Sequence, residues 1–168
     1  MPIINDTNRI AILLYTSFLL LSSLIPGGPI ETRSFSHIDS EVLLAFNTFL
    51  TLVALGSAIT AVLVWKRLQY SYILSAFFAI SYFTVYALDL TTVFPVSPDS
   101  MPTSLLTIEV IGLAVSITLF LLSIKEIMQK KESSLKPEIN RKALAVTGLI
   151  LIPIGTFIII FATFSAKF

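Results

Sequence analysis

Five segments of the chain are apolar around their whole circumference, and this pattern leaves few folds open. A helix at the surface of a soluble domain keeps a polar face, and a half-buried strand alternates polar and apolar residues. These segments do neither. In hydrocarbon every backbone N–H and C=O needs a partner within the helix or around a closed barrel, and barrel strands alternate. The pattern therefore predicts an all-α fold: a polytopic integral membrane helix bundle with five transmembrane helices in a single domain, residues 1–168. Only 12% of the 168 residues are charged and 55% are hydrophobic, against roughly 25% charged in a soluble domain. Too little polar surface remains to cover a water-soluble globule.

The predicted helices cover about 10–25, 41–65, 70–90, 105–124 and 143–166. The first, Ile10 to Ile25, follows Arg9 and stops at Pro26-Gly27-Gly28-Pro29. It spans only about 24 Å against a hydrocarbon core of about 30 Å. A cleaved signal peptide is the rival reading, but the run is long for one and no A-x-A-like site follows, so an uncleaved helix is expected. The second ends in Trp65-Lys66-Arg67, an aromatic and two cations suited to an interface. The third opens with Tyr70 and Tyr72. Ser104 is a candidate cap for the fourth, which should run a turn or two past Ile124 into water. Pro137-Glu138 suits the first turn of the fifth, and Pro153, with Gly148 and Gly155 nearby, should kink it.

The cations predict the orientation. With the N-terminus inside, Arg9, Lys66, Arg67, Lys125, Lys130, Lys131, Lys136, Arg141 and Lys142 all face the cytoplasm. Of the 11 lysines and arginines only Arg33 and Lys167 fall outside. This positive-inside split supports an odd number of spans, N-terminus cytoplasmic and C-terminus outside. The expected location is the cytoplasmic membrane of a bacterium or an equivalent energy-transducing membrane. The two outer loops share a proline-rich opening and a Glu-Val pair some fifteen residues on, but a similarity this short between two turns needs no duplication to explain it.

Absent residues exclude whole chemistries. There is no cysteine and only one histidine, so disulfides, thiolate metal sites, cysteine nucleophiles and a bis-histidine haem within one chain are ruled out. No G-x-S-x-G, H-E-x-x-H, P-loop or dinucleotide fingerprint occurs. The adjacent Ser36, His37 and Asp39 do not make a triad, which is assembled in space from separate elements. The reading leans away from an enzyme, no metal site or cofactor is specified, and nothing suggests nucleic-acid binding.

Ionisable residues inside the bilayer are functional candidates by default. Asp89 ends the third helix, and Glu109 lies about 6–8 Å inside the fourth. Ser71, Ser75, Ala79, Tyr82, Tyr86 and Asp89 form one stripe on the third helix; Glu109, Gly112, Ser116 and Ser123 form one on the fourth. Stripes of this kind serve helix packing first. If they meet, Tyr82 or Tyr86 can donate to Glu109, so Tyr82, Tyr86, Asp89 and Glu109 form a candidate ligand or ion path. A second concentration, Glu31, Arg33, His37, Asp39 and Glu41, lies in the first outer loop. There Arg33 should pair with a carboxylate such as Asp89 or Glu109, within a cap made by the two proline-rich loops.

The function most in keeping with this sequence is a non-enzymatic accessory, assembly or regulatory component that binds other membrane proteins. The alternatives are a small transporter or channel with an acidic outer mouth, or a membrane pocket, lined by Phe77, Phe78, Tyr82 and Tyr86, for an apolar ligand such as a quinone, pigment or lipid. The partners expected are the bilayer itself, other membrane proteins or a second copy of the chain.

Overall fold

A computed structural model of the chain describes residues 5–130, 153 and 155–166, and among these all regular structure is helical. Four long helices follow one another: α1 (Asp6–Ser23), α2 (Ser40–Trp65), α3 (Gln69–Leu90) and α4 (Thr103–Lys130). A fifth, α5 (Gly155–Ser165), is shorter within the described residues. The earlier half of the expected fifth helix, its start at Pro137-Glu138, Gly148 and most of the basic connection lie outside them.

The boundaries follow local chemistry. Asp39 caps α2 by accepting the Glu41 backbone N–H at 2.9 Å, which satisfies one of the orphan donors of a first turn. At α4 the helix begins earlier than expected: Leu106 N–H bonds to the Pro102 carbonyl at 3.0 Å, so Ser104 sits inside the first turn and does not cap it. That helix has 28 residues, about 42 Å, and so overruns a hydrocarbon core of about 30 Å. At the other extreme α1 starts four residues before its apolar run, because Asp6, Thr7 and Asn8 make a sound first turn. Its 18 residues include Asp6 and Arg9.

Three helices, α2, α3 and α4, are long and apolar enough to cross a membrane. Together with α1 they form a ring in which each packs against its chain neighbour and α1 closes on α4, while α1 and α3 scarcely touch across the centre. Small residues let the helices approach. A Cβ on Gly56 would stand 2.5 Å from the Phe78 ring, and one on Gly112 would stand 2.5 Å from the Tyr86 ring. In lipid, where helices gain little from burying apolar surface against one another, such close approach is a main source of attraction. The fifth helix leans on α2, where Asn47 Nδ2 donates to Thr163 Oγ1 at 3.2 Å.

The polarity of the bundle is inverted relative to a soluble protein. Ser71, Ser75, Ser116 and Ser123 are fully buried, whereas Leu52, Ile73, Phe77 and Leu121 are each about 60% exposed. Most of the buried hydroxyls satisfy themselves on their own helix: Ser75 donates to the Ser71 carbonyl at 2.7 Å, and Ser123 to the Leu119 carbonyl at 2.7 Å. Others tie helices together, as Ser57 does with Tyr82 at 2.6 Å.

The two ends differ. At one, Lys125 donates to Asp6 at 2.6 Å, with Arg9 nearby; the hydrogen bond from Lys125 holds the Asp6 carboxyl below the usual carboxylate range. The half of the bundle next to it is filled by Ile10, Leu14, Ala61, Val64, Tyr72 and Leu119. At the other, the loops α1–α2 and α3–α4 meet and form a cap. Ser34 N–H donates to Asp99 at 2.8 Å, and Ser97 Oγ donates to the Ser34 carbonyl at 3.0 Å. Phe94 packs edge-on against Phe46 of α2, with ring centroids 4.9 Å apart. The end of α5 joins the cap through Phe35 N–H, which bonds the Ala166 carbonyl at 3.0 Å. Gly27, at φ +79°, lies against Ser165, where a Cβ would come within 2.6 Å.

Candidate functional site

The last turn of α3 carries Asp89, an acid at the negative end of a helix dipole and thus unfavourably placed unless a cation meets it. Arg33 does so. Reaching down from the α1–α2 loop, its guanidinium donates to Asp89 through Nη1 at 2.9 Å and Nη2 at 2.7 Å. The remaining edge of the fork grips Glu31, with Nε at 3.0 Å and Nη2 at 2.6 Å, and the Arg33 backbone N–H adds a further bond to Glu31 at 3.0 Å. The plane of the fork matches two carboxylates at once, which a lysine's point charge does not. Phe35 lies under the guanidinium, 5.4 Å from ring centroid to Cζ.

All three charged residues are buried. Burial works against the Arg33 charge, but the hydrogen bonds that it donates to Asp89 and Glu31, and then their charges, outweigh it and raise its pKa. The guanidinium is thus a permanent cation that ties the loop to α3. This is the pairing the sequence suggested for Arg33, with Asp89 as partner and Glu31 as a second one.

Glu109 stands beside this triad on α4. It is 2% exposed and lines the same cavity as Asp89 and Glu31. Its Oε2 has no hydrogen-bond partner, and neither has the buried hydroxyl of Tyr86. The two tyrosines stack with centroids 6.3 Å apart, but the expected tyrosine–Glu109 hydrogen bond is not made. The Tyr82 hydroxyl is occupied by Ser57 of α2, and Tyr86 lies flat over Gly112, one turn further along α4. The stripes on α3 and α4 do face each other as read from their spacing, and every residue named in them is buried.

A cavity of about 50 Å³ lies at this end, walled by Glu31, Asp89 and Glu109 on one side and by Leu21, Phe46 and Leu50 on another. A second cavity of about 50 Å³ shares Leu21, Leu24, Pro26, Asn47 and Leu50 with the first and continues between α1, α2 and α5, past Phe18, Ile158 and Ala162. Each has room for a few water-sized groups.

Of the residues singled out in the first loop, the structure brings together only Glu31 and Arg33, joined there by Asp89 and Glu109. His37 is exposed, Asp39 is engaged as the α2 cap and Glu41 is exposed on the first turn of α2. Among the described residues no group of three acids or histidines is arranged to hold a metal ion. Sequence reading did not assign Asn47 to the cavity wall or foresee the Ser34–Asp99 clasp. Only the placement of α5 and the cap reveals these.

Residues 6–137 match the family described as a domain of unknown function, DUF8051. The chain belongs to that family. The DUF8051 match takes in α1 to α4, both loops of the cap and all four members of the charged cluster, and it stops short of α5. No curated protein and no solved structure matches the chain.

Proposed function

We propose that this chain is a non-enzymatic integral membrane protein that crosses the bilayer five times, N-terminus cytoplasmic and C-terminus outside, and binds an apolar-bodied small molecule at its outer end. The observation that carries this reading is the pair of adjoining cavities with mainly apolar walls, roofed by the loop cap and meeting buried carboxylates at one end. Sites of this build, apolar over most of their wall with a few fixed polar groups, are what small-molecule recognition uses. The inverted polarity of the bundle supports insertion. The cation distribution supports the orientation, with Asp6, Arg9 and Lys125 gathered at the end opposite the cap. The cytoplasmic membrane of a bacterium, or its equivalent, is the location proposed.

This reading is preferred to a transporter or channel. The half of the bundle away from the cap is packed with Ile10, Leu14, Val64 and Leu119, and the hydroxyls along α3 and α4 are bonded to their own backbones. A role as an accessory subunit is compatible with the same pocket, with the bound molecule or the cap presented to another membrane protein.

The test is retention of a ligand. Protein purified gently from native membranes is extracted and its small molecules are measured by mass spectrometry. We expect one amphipathic species near stoichiometric amount, much reduced in Ala162→Phe, which fills the second cavity from α5. Extracts matching bulk lipid in both proteins would refute the pocket.

A further inference from the structure

We infer that the outer cavity is a binding site for a primary ammonium group borne on an apolar chain, with Glu109 as its principal acceptor. The inference rests on the pocket reading above and adds the chemistry of the ligand's head.

The cluster has more acceptors than donors. Arg33 is the only cation in it, and its fork is taken by Asp89 and Glu31, each of which receives two guanidinium hydrogen bonds. Glu109 gets no bond from it. Three carboxylates thus face one guanidinium; the Glu109 side chain lines the cavity, and its Oε2 is buried without a partner. Leaving a buried carboxylate oxygen unmatched costs on the order of 1–3 kcal/mol or more, and carboxyl groups that share one site hold a proton or draw in a cation. What fits is therefore a donor carrying positive charge. An anion would meet the three acids, and a neutral donor such as a hydroxyl would pair with a Glu109 oxygen but bring no charge to offset the third carboxylate.

The neighbouring walls narrow the class further. No trio of acids or histidines is set to ligate a metal among the described residues, whereas the lining includes Phe46 and Phe35, whose ring already carries the Arg33 guanidinium. Asn47, buried where the two cavities meet, adds a polar side chain beside the path from head to tail. The second cavity, lined by Phe18, Leu50, Ala54 and Ile158, takes the start of an alkyl chain. A compact head that donates three hydrogen bonds suits a space of about 50 Å³.

The probes are dodecylamine, dodecanol and butylamine, added to the full chain in a nonionic detergent, with the thermal midpoint as readout. We expect dodecylamine to raise the midpoint and to bind at least tenfold more tightly than dodecanol. Glu109→Gln, which keeps the shape and removes the charge, should abolish that preference while leaving dodecanol binding unchanged. Glu109→Asp should restore part of it. Any effect of the amine on the micelle's own charge is common to wild type and variants and cancels in the comparison. Butylamine binding as tightly as dodecylamine would assign the site to a water-soluble amine, with the ammonium chemistry intact. Dodecanol binding as tightly as dodecylamine in the wild-type protein, a comparison that needs no variant to fold, overturns the ammonium assignment and leaves the apolar pocket standing. Equal dodecylamine affinity in wild type and Glu109→Gln overturns it too, with Glu109 then satisfied by a proton shared with Asp89. Stabilisation by none of the three removes the pocket and the ammonium site together.

Discussion

Arg33 holds the cap to the bundle, and the cost of losing it follows from what it would leave behind. Its side chain is 4% exposed, and both of its carboxylate partners are as well shielded or nearly so. Removing the guanidinium strands Glu31 and Asp89 without a counter-charge, and breaking a buried pair in this way costs about 3–5 kcal/mol. Arg33→Met should therefore lower the thermal midpoint in detergent strongly. Adding Glu31→Gln and Asp89→Asn to the same chain should recover most of the loss, because neutral amides need no cation. Thermal melts of wild type, Arg33→Met and the triple variant, followed by circular dichroism at 222 nm, measure both, and Arg33→Met with an unchanged midpoint would show that the cluster holds nothing together. This pairing was legible in the sequence because a lone arginine among outer acids has little choice of partner. That Asp89 rather than Glu109 receives the fork was not legible: it depends on Arg33 and Glu31 being two residues apart in a loop whose path only the fold defines.

Helix spacing showed which faces of α3 and α4 would meet, since residues three and four apart share a side. It did not show which side chain would lie over which. Gly112 turns out to be the seat for the Tyr86 ring, with an added Cβ standing 2.5 Å from one ring carbon and 2.6 Å from the next. Tyr86 is 1% exposed and cannot swing aside without disturbing Tyr82, on which it stacks. Gly112→Ala should therefore destabilise the α3–α4 pair by about 1–3 kcal/mol, the usual range for overpacking. In a Tyr86→Leu background, where the ring is gone, the same substitution should become close to neutral. Thermal midpoints of the four proteins complete the cycle, and an equal cost in both backgrounds would mean that the glycine acts through backbone conformation instead. The helix termini were legible only to within a few residues. The start of α4 depends on Pro102 offering its carbonyl, and the start of α1 on a polar first turn that hydropathy passes over.

At the scale of the whole chain, charge and burial both bear on the proposed membrane setting. The cations divide between the two ends of the sequence-predicted spans. The folded chain gathers Asp6, Arg9 and Lys125 at one end and closes the other with a cap in which Arg33 is held by two acids, which is compatible with the proposed orientation. An arginine neutralised in this way would weigh little against translocation in the proposed orientation. The short first segment was the weakest part of the sequence reading. Its 18 residues amount to about 27 Å of helix, yet α1 packs along both α2 and α4 and supplies Leu21 to the cavity wall. In the proposed arrangement α1 crosses the bilayer beside α2 and α4. Because the chain has no cysteine, single replacements report its topology cleanly. His37→Cys in the cap and Lys66→Cys at the α2–α3 turn are both exposed positions at opposite ends. In intact cells a membrane-impermeant maleimide should label His37→Cys readily and Lys66→Cys only after the membrane is opened. The reverse pattern would invert the protein and put the ammonium site on the cytoplasmic face. Labelling of both in intact cells would remove the membrane-spanning arrangement altogether.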